Sequence, residues 1–275
     1  MSATPIPRSL ALALHGDLDA SFLTERPSGR APAAAVVCVG ADERRAAYER
    51  AREAIAEGRQ VFVVCAVREV ARRDDAVTAV AQHARLLRQL RPARVGLLHG
   101  ALTAEVKEET LRAFAGGAPQ VLVATTVIEL GIDVPNATVM IVEEADRFGV
   151  AQLHQLRGRV GRGRWPGICF LCASEVGLSD EARGRLALVA ANQDGFALAE
   201  ADLAQRGAGD LFGTRQAGQS PDLGRLDELA ALIQVARREA ETVLAGDPTL
   251  AAPEHDLCAR AAAARAQTLF AGDAG

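Results

Sequence analysis

From Ala33 onward, short runs of consecutive apolar residues alternate with stretches whose apolar positions recur every three or four residues. The runs are Ala35–Val39, Val61–Ala66, Arg94–Leu98, Gln120–Ala124, Thr138–Val142 and Ile168–Ala173. The helical stretches lie near Asp42–Glu57, Glu69–Leu90, Thr103–Ala115 and Val150–Arg157. A strand with one wet face alternates apolar and polar side chains; these runs do not, and they read as strands covered by helices on both faces. Regular alternation of strand and helix predicts a right-handed, parallel α/β sheet flanked by helices. Beyond about Leu178 the strands stop and a mostly helical extension follows, with helical patterns near Arg225–Leu244 and after Pro253 and a glycine-rich break at Arg206–Gly218. Residues 1–32 share none of this rhythm: a proline-rich start and a helix-like Ser9–Leu14 lead to a turn-rich Arg26–Arg30, as expected for the tail of something preceding plus a linker. The expected organisation is therefore a leading segment 1–32, an α/β domain 33–177 and a helical domain 178–275.

Composition supports a folded chain: 49% of residues are hydrophobic but only 4% aromatic, so Ala, Val and Leu must fill the core. A net charge of −4 shows no globally basic surface, and a nucleic-acid role has to rest on local clusters. Of the 31 basic residues a single one, Lys107, is lysine. The five cysteines have no framework spacing, and Cys169 and Cys172 sit in one apolar run, where residues three apart face opposite sides and cannot share a metal. No apolar stretch reaches membrane-spanning length and the N-terminus lacks a signal-peptide pattern, so a cytosolic protein is expected.

The strongest local signal is Gln152–Arg164, where four arginines fall within eight positions, separated by glycines and without an acid. Glycine lets the backbone approach a ligand, and guanidinium offers a planar, permanent charge suited to a transferred phosphoryl group. The residues alone fit a solvated basic loop equally well. Upstream, the run Val121–Ala124 ends in Thr125 and Thr126, followed by Glu129, Gly131 and Asp133. Hydroxyls at the carboxyl end of a parallel strand stand where α/β sheets place ligands, although this segment also fits a plain helix cap. His99-Gly100 follows another strand and precedes a helix entered through Thr103.

These strings resemble the RecG family of superfamily 2 DNA helicases. Gln155–Arg162 is similar to motif VI (QxxGRxGR), Val121–Pro135 looks like motif V, and Ser2–Arg8 resembles motif III of the RecG and Mfd group. Arg206, Gln216 and the glycines between them look like the translocation motif that RecG shares with the transcription-repair coupling factor Mfd; His154 and Gly213–Gln216 are more RecG-like. The resemblance implies a RecA-like sheet. It implies that Arg159 and Arg162 reach ATP as finger residues with Gln155 positioning them, and that Thr125, Thr126 and His99 contact the DNA backbone. It further implies that Glu129 and Asp133 sense ATP or hold the arginines, and that Arg206 and Gln216 couple turnover to movement on duplex DNA.

Neither a GxxxxGK[ST] loop nor its lysine occurs here, and Glu143-Glu144-Ala145-Asp146 follows the wrong strand to be a magnesium-binding DExx box. The resemblance thus runs from motif III onward and covers the latter part of the family protein. ATP and Mg²⁺ are expected to bind mainly on an upstream RecA-like domain, and the chain by itself is expected to lack ATPase activity. The expected partners are that domain and duplex or branched DNA, with no membrane, and the chain acting as a monomer. The alternatives are a non-catalytic module docking on DNA or a separate ATPase, and a fragment of Mfd.

Overall fold

Each apolar run forms a strand within a residue or two of its expected bounds: β1 (Ala34–Val39), β2 (Gln60–Cys65), β3 (Val95–Leu98), β4 (Val121–Ala124), β5 (Ala137–Glu143) and β6 (Ile168–Ala173). The computed structural model describes residues 33–66, 72–125, 133–206 and 226–263. The strands form one six-stranded sheet in the order β1-β6-β5-β2-β4-β3, and every pairing is parallel. β2, β4 and β5 are buried along their whole length, as their unbroken apolar sequences require, whereas the edge strands β1 and β3 are partly open. Alternate residues feed two cores. Phe62, Val64, Met140 and Val142 point into one, and Val61, Val63, Val139 and Ile141 into the other.

Helices α1 (Ala41–Ala56) and α2 (Arg72–Gln89) cover the second of these cores. Ala47, Ala51 and Ala54 let α1 lie close to the sheet, and Glu43 accepts the Val39 N–H at 2.6 Å near its start. The opposite core is covered by α3 (Ala104–Ala115), α4 (Val150–Arg157), α5 (Asp180–Ala191) and α6 (Gly195–Arg206), through Phe114, Leu153, Leu156, Leu186, Val189 and Leu198. Thr103 caps α3 and Ser179 caps α5, each side chain accepting a backbone N–H three residues on. Cys169 belongs to one core and Cys172 to the other, and burial pushes the Cys169 thiol up to about 12. Among the described residues no helix is long and apolar enough to cross a membrane.

The described residues form two compact units that divide between Gln205 and Arg206. The second contains α7 (Leu226–Gly246), a 3-10 turn at Pro253–His255 and a helix over residues 256–263. Asp247 organises the turn after α7. Its carboxylate accepts the Ala251 and Ala252 N–H groups at 3.0 and 2.9 Å and meets His255 Nδ1 at 2.9 Å. The His255 hydrogen bond and the two amides hold the Asp247 carboxyl at about 2, below its usual 3.8. A depressed carboxyl stabilises the fold above its unfolded value and ceases to do so as pH falls through its folded value. The turn is therefore expected to loosen between about pH 4 and pH 2, and Asp247→Asn should remove that acid-dependent step from a far-ultraviolet circular dichroism titration.

Candidate nucleotide-phosphate and nucleic-acid site

The chain from Gly158 to Gly167 returns along the amino ends of the strands. The Gly161 N–H donates to the Ala137 carbonyl at 3.0 Å, and the Gly167 carbonyl accepts the Ala34 N–H at 3.0 Å. Gly161 has φ +72°, and a Cβ on it would lie 2.7 Å from the Gly167 nitrogen; a Cβ on Gly167 would lie equally close to the Gly161 nitrogen. Gly163 is pressed on Pro135, whose carbonyl a side chain would strike. These glycines are needed for contact between backbones, and they fix the loop against the end of the motif V segment.

The arginines of this region part company. Arg157 is 4% exposed and points inward: Nη1 donates to the Val189 and Asn192 carbonyls at 2.8 and 2.6 Å, and Nη2 lies 2.8 Å from His154 Nδ1. It ties α4 to the end of α5. Arg162 stays at the surface side of the loop, with Nε donating to the Gly158 carbonyl at 2.9 Å and Nη1 3.5 Å from Asp133 Oδ1. The structure thus brings together Arg162 and Asp133, which lie 29 positions apart in the chain (162 − 133). Arg159 lies two residues past the end of α4 and is partly buried, as is Gln155 within the helix.

Thr125 and His99 meet at the other end of the sheet. Both follow the carboxyl ends of paired strands, β4 and β3, and the Thr125 N–H donates to the Leu98 carbonyl at 3.1 Å. His99 is buried, and its Nδ1 has no hydrogen-bond partner among the described residues. Lys107 on α3 donates to the Gly100 carbonyl at 2.8 Å and fixes the turn after His99. Thr126, Glu129 and Gln216 lie outside the described residues, as do 1–32 and the glycines of 207–218. Arg206 is described only as the last residue of α6.

Glu143, first of the acidic string, is committed internally. Its Oε1 accepts from Arg44 Nε and Nη2 at 3.1 and 2.9 Å, from the Tyr48 hydroxyl at 2.5 Å and from Gln82 Nε2 at 3.0 Å. With Arg85, 3.5 Å away, it stands at the carboxyl ends of the strands on the α1 and α2 side, in the lining of a cavity that it shares with Arg44, Cys65 and Gln82. Among the described residues no group of His, Cys, Asp and Glu is placed to hold a metal ion. Two features escape the sequence reading. Arg185 bridges Glu181 Oε1 at 2.6 Å and the Asp146 carbonyl at 2.9 Å, tying α5 to the turn after β5. Trp165 stacks with Arg59, from a distant part of the chain, at 3.9 Å.

Residues 46–164, which include most of the sheet carrying these two clusters, match the helicase conserved C-terminal domain, and the parallel sheet flanked by helices is RecA-like. Residues 192–267 match a model described as ATP-dependent DNA helicase RecG, domain 3, C-terminal. The chain belongs to the RecG-type superfamily 2 DNA helicases and corresponds to their C-terminal region. It is 47% identical over 255 residues to ATP-dependent DNA helicase RecG of Synechocystis sp., covering 92% of this chain and 30% of that one. To the RecG of Thermotoga maritima it is 46% identical over 221 residues, covering 80% of this chain and 28% of the relative. A solved structure of RecG bound to a three-way DNA junction superposes with a TM-score of 0.68 at 42% identity, covering 85% of this chain and 30% of that one. The chain thus spans about a third or less of the length of these relatives.

Proposed function

We propose that the chain is the C-terminal motor half of an ATP-dependent DNA helicase or translocase that remodels branched DNA in recombination and repair. The observation that carries the proposal is the posture of Arg162: fixed by the Gly158 carbonyl and Asp133, on a loop pinned by glycines, yet still partly exposed. A guanidinium oriented before its ligand arrives, and open on one side, suits the stabilisation of charge on a transferring phosphoryl group. ATP with Mg²⁺ supplies the phosphoryl chemistry when bound, mainly on a preceding RecA-like domain. In this reading Arg162 and Arg159 meet the γ-phosphate, Gln155 positions them, and Asp133 with Glu129 orients them. Thr125, Thr126 and His99 contact the DNA backbone at the opposite end of the sheet, and Arg206 and Gln216 pass the motion on. The relative whose structure superposes was bound to a three-way junction, which supports a branched-DNA substrate.

The test joins the chain in one polypeptide to the preceding motor domain of a RecG relative. DNA-stimulated ATP hydrolysis is expected in the joined protein and not in the chain alone. Hydrolysis by the purified chain itself would reject the division of labour, and an inactive joined protein that still binds both ligands would reject the motor assignment.

A further inference from the structure

We infer that Trp165, backed by Arg59 and flanked by Arg164, is a stacking platform for the base of a bound nucleotide. This rests on the nucleotide reading of the neighbouring Arg162 and extends it to a second part of the same ligand.

Trp165 is the sole tryptophan of the chain and remains 41% exposed. An indole left at the surface forgoes the burial that usually holds it. Instead it is flanked by cations, with the Arg59 guanidinium carbon 3.9 Å from the ring centroid and that of Arg164 5.0 Å away. Arg59 is anchored, since Nη1 donates to Asn136 Oδ1 at 3.3 Å while Asn136 Nδ2 donates to the Gly58 carbonyl at 2.8 Å. Among the described residues neither Arg59 nor Arg164 forms a salt bridge. A partly open aromatic ring beside two guanidiniums without acidic partners suits a ligand that is both flat and anionic. Nucleotides meet both demands, because every base presents a π-face and every phosphate a negative charge.

Place in the chain selects among nucleotides. Trp165 follows Arg162 by three residues, a reach of at most about 11 Å, on the same loop. That loop is clasped at Gly161 and Gly167 and pressed on Pro135 at Gly163, so the ring and the arginine keep a fixed relation. One molecule carrying a polyphosphate at one end and a ring at the other engages both. A strand of DNA would bring its bases to the opposite end of the sheet, where Thr125 and His99 lie.

Because there is no other tryptophan, the intrinsic fluorescence of the purified chain reports on this ring. The chain is titrated with Mg·ATP, with Mg·tripolyphosphate and with a short oligothymidylate. ATP is expected to quench saturably at a concentration about tenfold below that at which tripolyphosphate acts, the contribution of one stacked base. Arg59→Lys, which keeps the charge and loses the plane, should erase that tenfold advantage while leaving the circular dichroism spectrum unchanged. Equal responses to ATP and tripolyphosphate would overturn the stacking and leave the Arg162 reading intact. An ATP quench that persists undiminished in Arg162→Ala would keep the stacking and count against the Arg162 reading. Absence of a saturable ATP quench, or a response to oligothymidylate at lower concentration than to ATP, would overturn the inference.

Discussion

Arg162→Ala in the joined protein is expected to lower ATP turnover by about a thousandfold or more while DNA affinity stays unchanged. The side chain has the geometry for such an effect. Its Nε is occupied by the Gly158 carbonyl and Nη1 faces Asp133, so the fork is aimed before a phosphate arrives and little reorganisation is left to do. Arg162→Lys should recover little, because an ammonium supplies charge without the fixed fork. Asp133→Ala should fall between Arg162→Ala and the unsubstituted protein, since it removes a partner at 3.5 Å that orients the arginine and leaves the Gly158 bond in place. Steady-state kcat, with DNA binding followed separately by fluorescence anisotropy, separates these outcomes. A kcat for Arg162→Ala close to that of the unsubstituted protein would reject the finger assignment.

The second large effect concerns stability, and it falls on the neighbouring arginine. Arg157→Leu is expected to destabilise the first unit by roughly 3 kcal/mol, because it takes the arginine donor from the buried Val189 carbonyl and the half-buried Asn192 carbonyl. For a unit of this size that corresponds to a fall in Tm of roughly 10 °C. Urea unfolding should show a lower midpoint at unchanged slope. The same measurement on Arg162→Ala should show almost no shift. If Arg157→Leu were as stable as the original chain, the inward guanidinium would not be what ties α4 to α5.

This pair marks how far the sequence could be read. The strands were legible because each is apolar on consecutive positions, and β2, β4 and β5 are covered along their whole length, as such runs require. Their order was not. Right-handed crossovers constrain how parallel strands connect, but they do not say that β6 inserts between β1 and β5. The glycine–arginine string was legible as a whole and illegible in detail. Composition treats Arg157, Arg159, Arg162 and Arg164 alike, yet α4 buries Val150, Leu153, Leu156 and Arg157. Helical phase carried that signal: Arg157 lies four positions after Leu153 and seven after Val150, on the inner face. The pairing of Arg162 with Asp133 joins two motifs that had been recognised separately. No local pattern announces the stacking of Trp165 on Arg59, since 106 positions separate them (165 − 59) and only the sheet brings them together.

The mutual contact of Gly161 and Gly167 makes a buckle of the segment between them. Positions 162 and 164–166 are therefore an exchangeable tip, where evolution or an engineer can rewrite ligand chemistry without renegotiating the sheet, so long as positions 161, 163 and 167 stay bare of side chains.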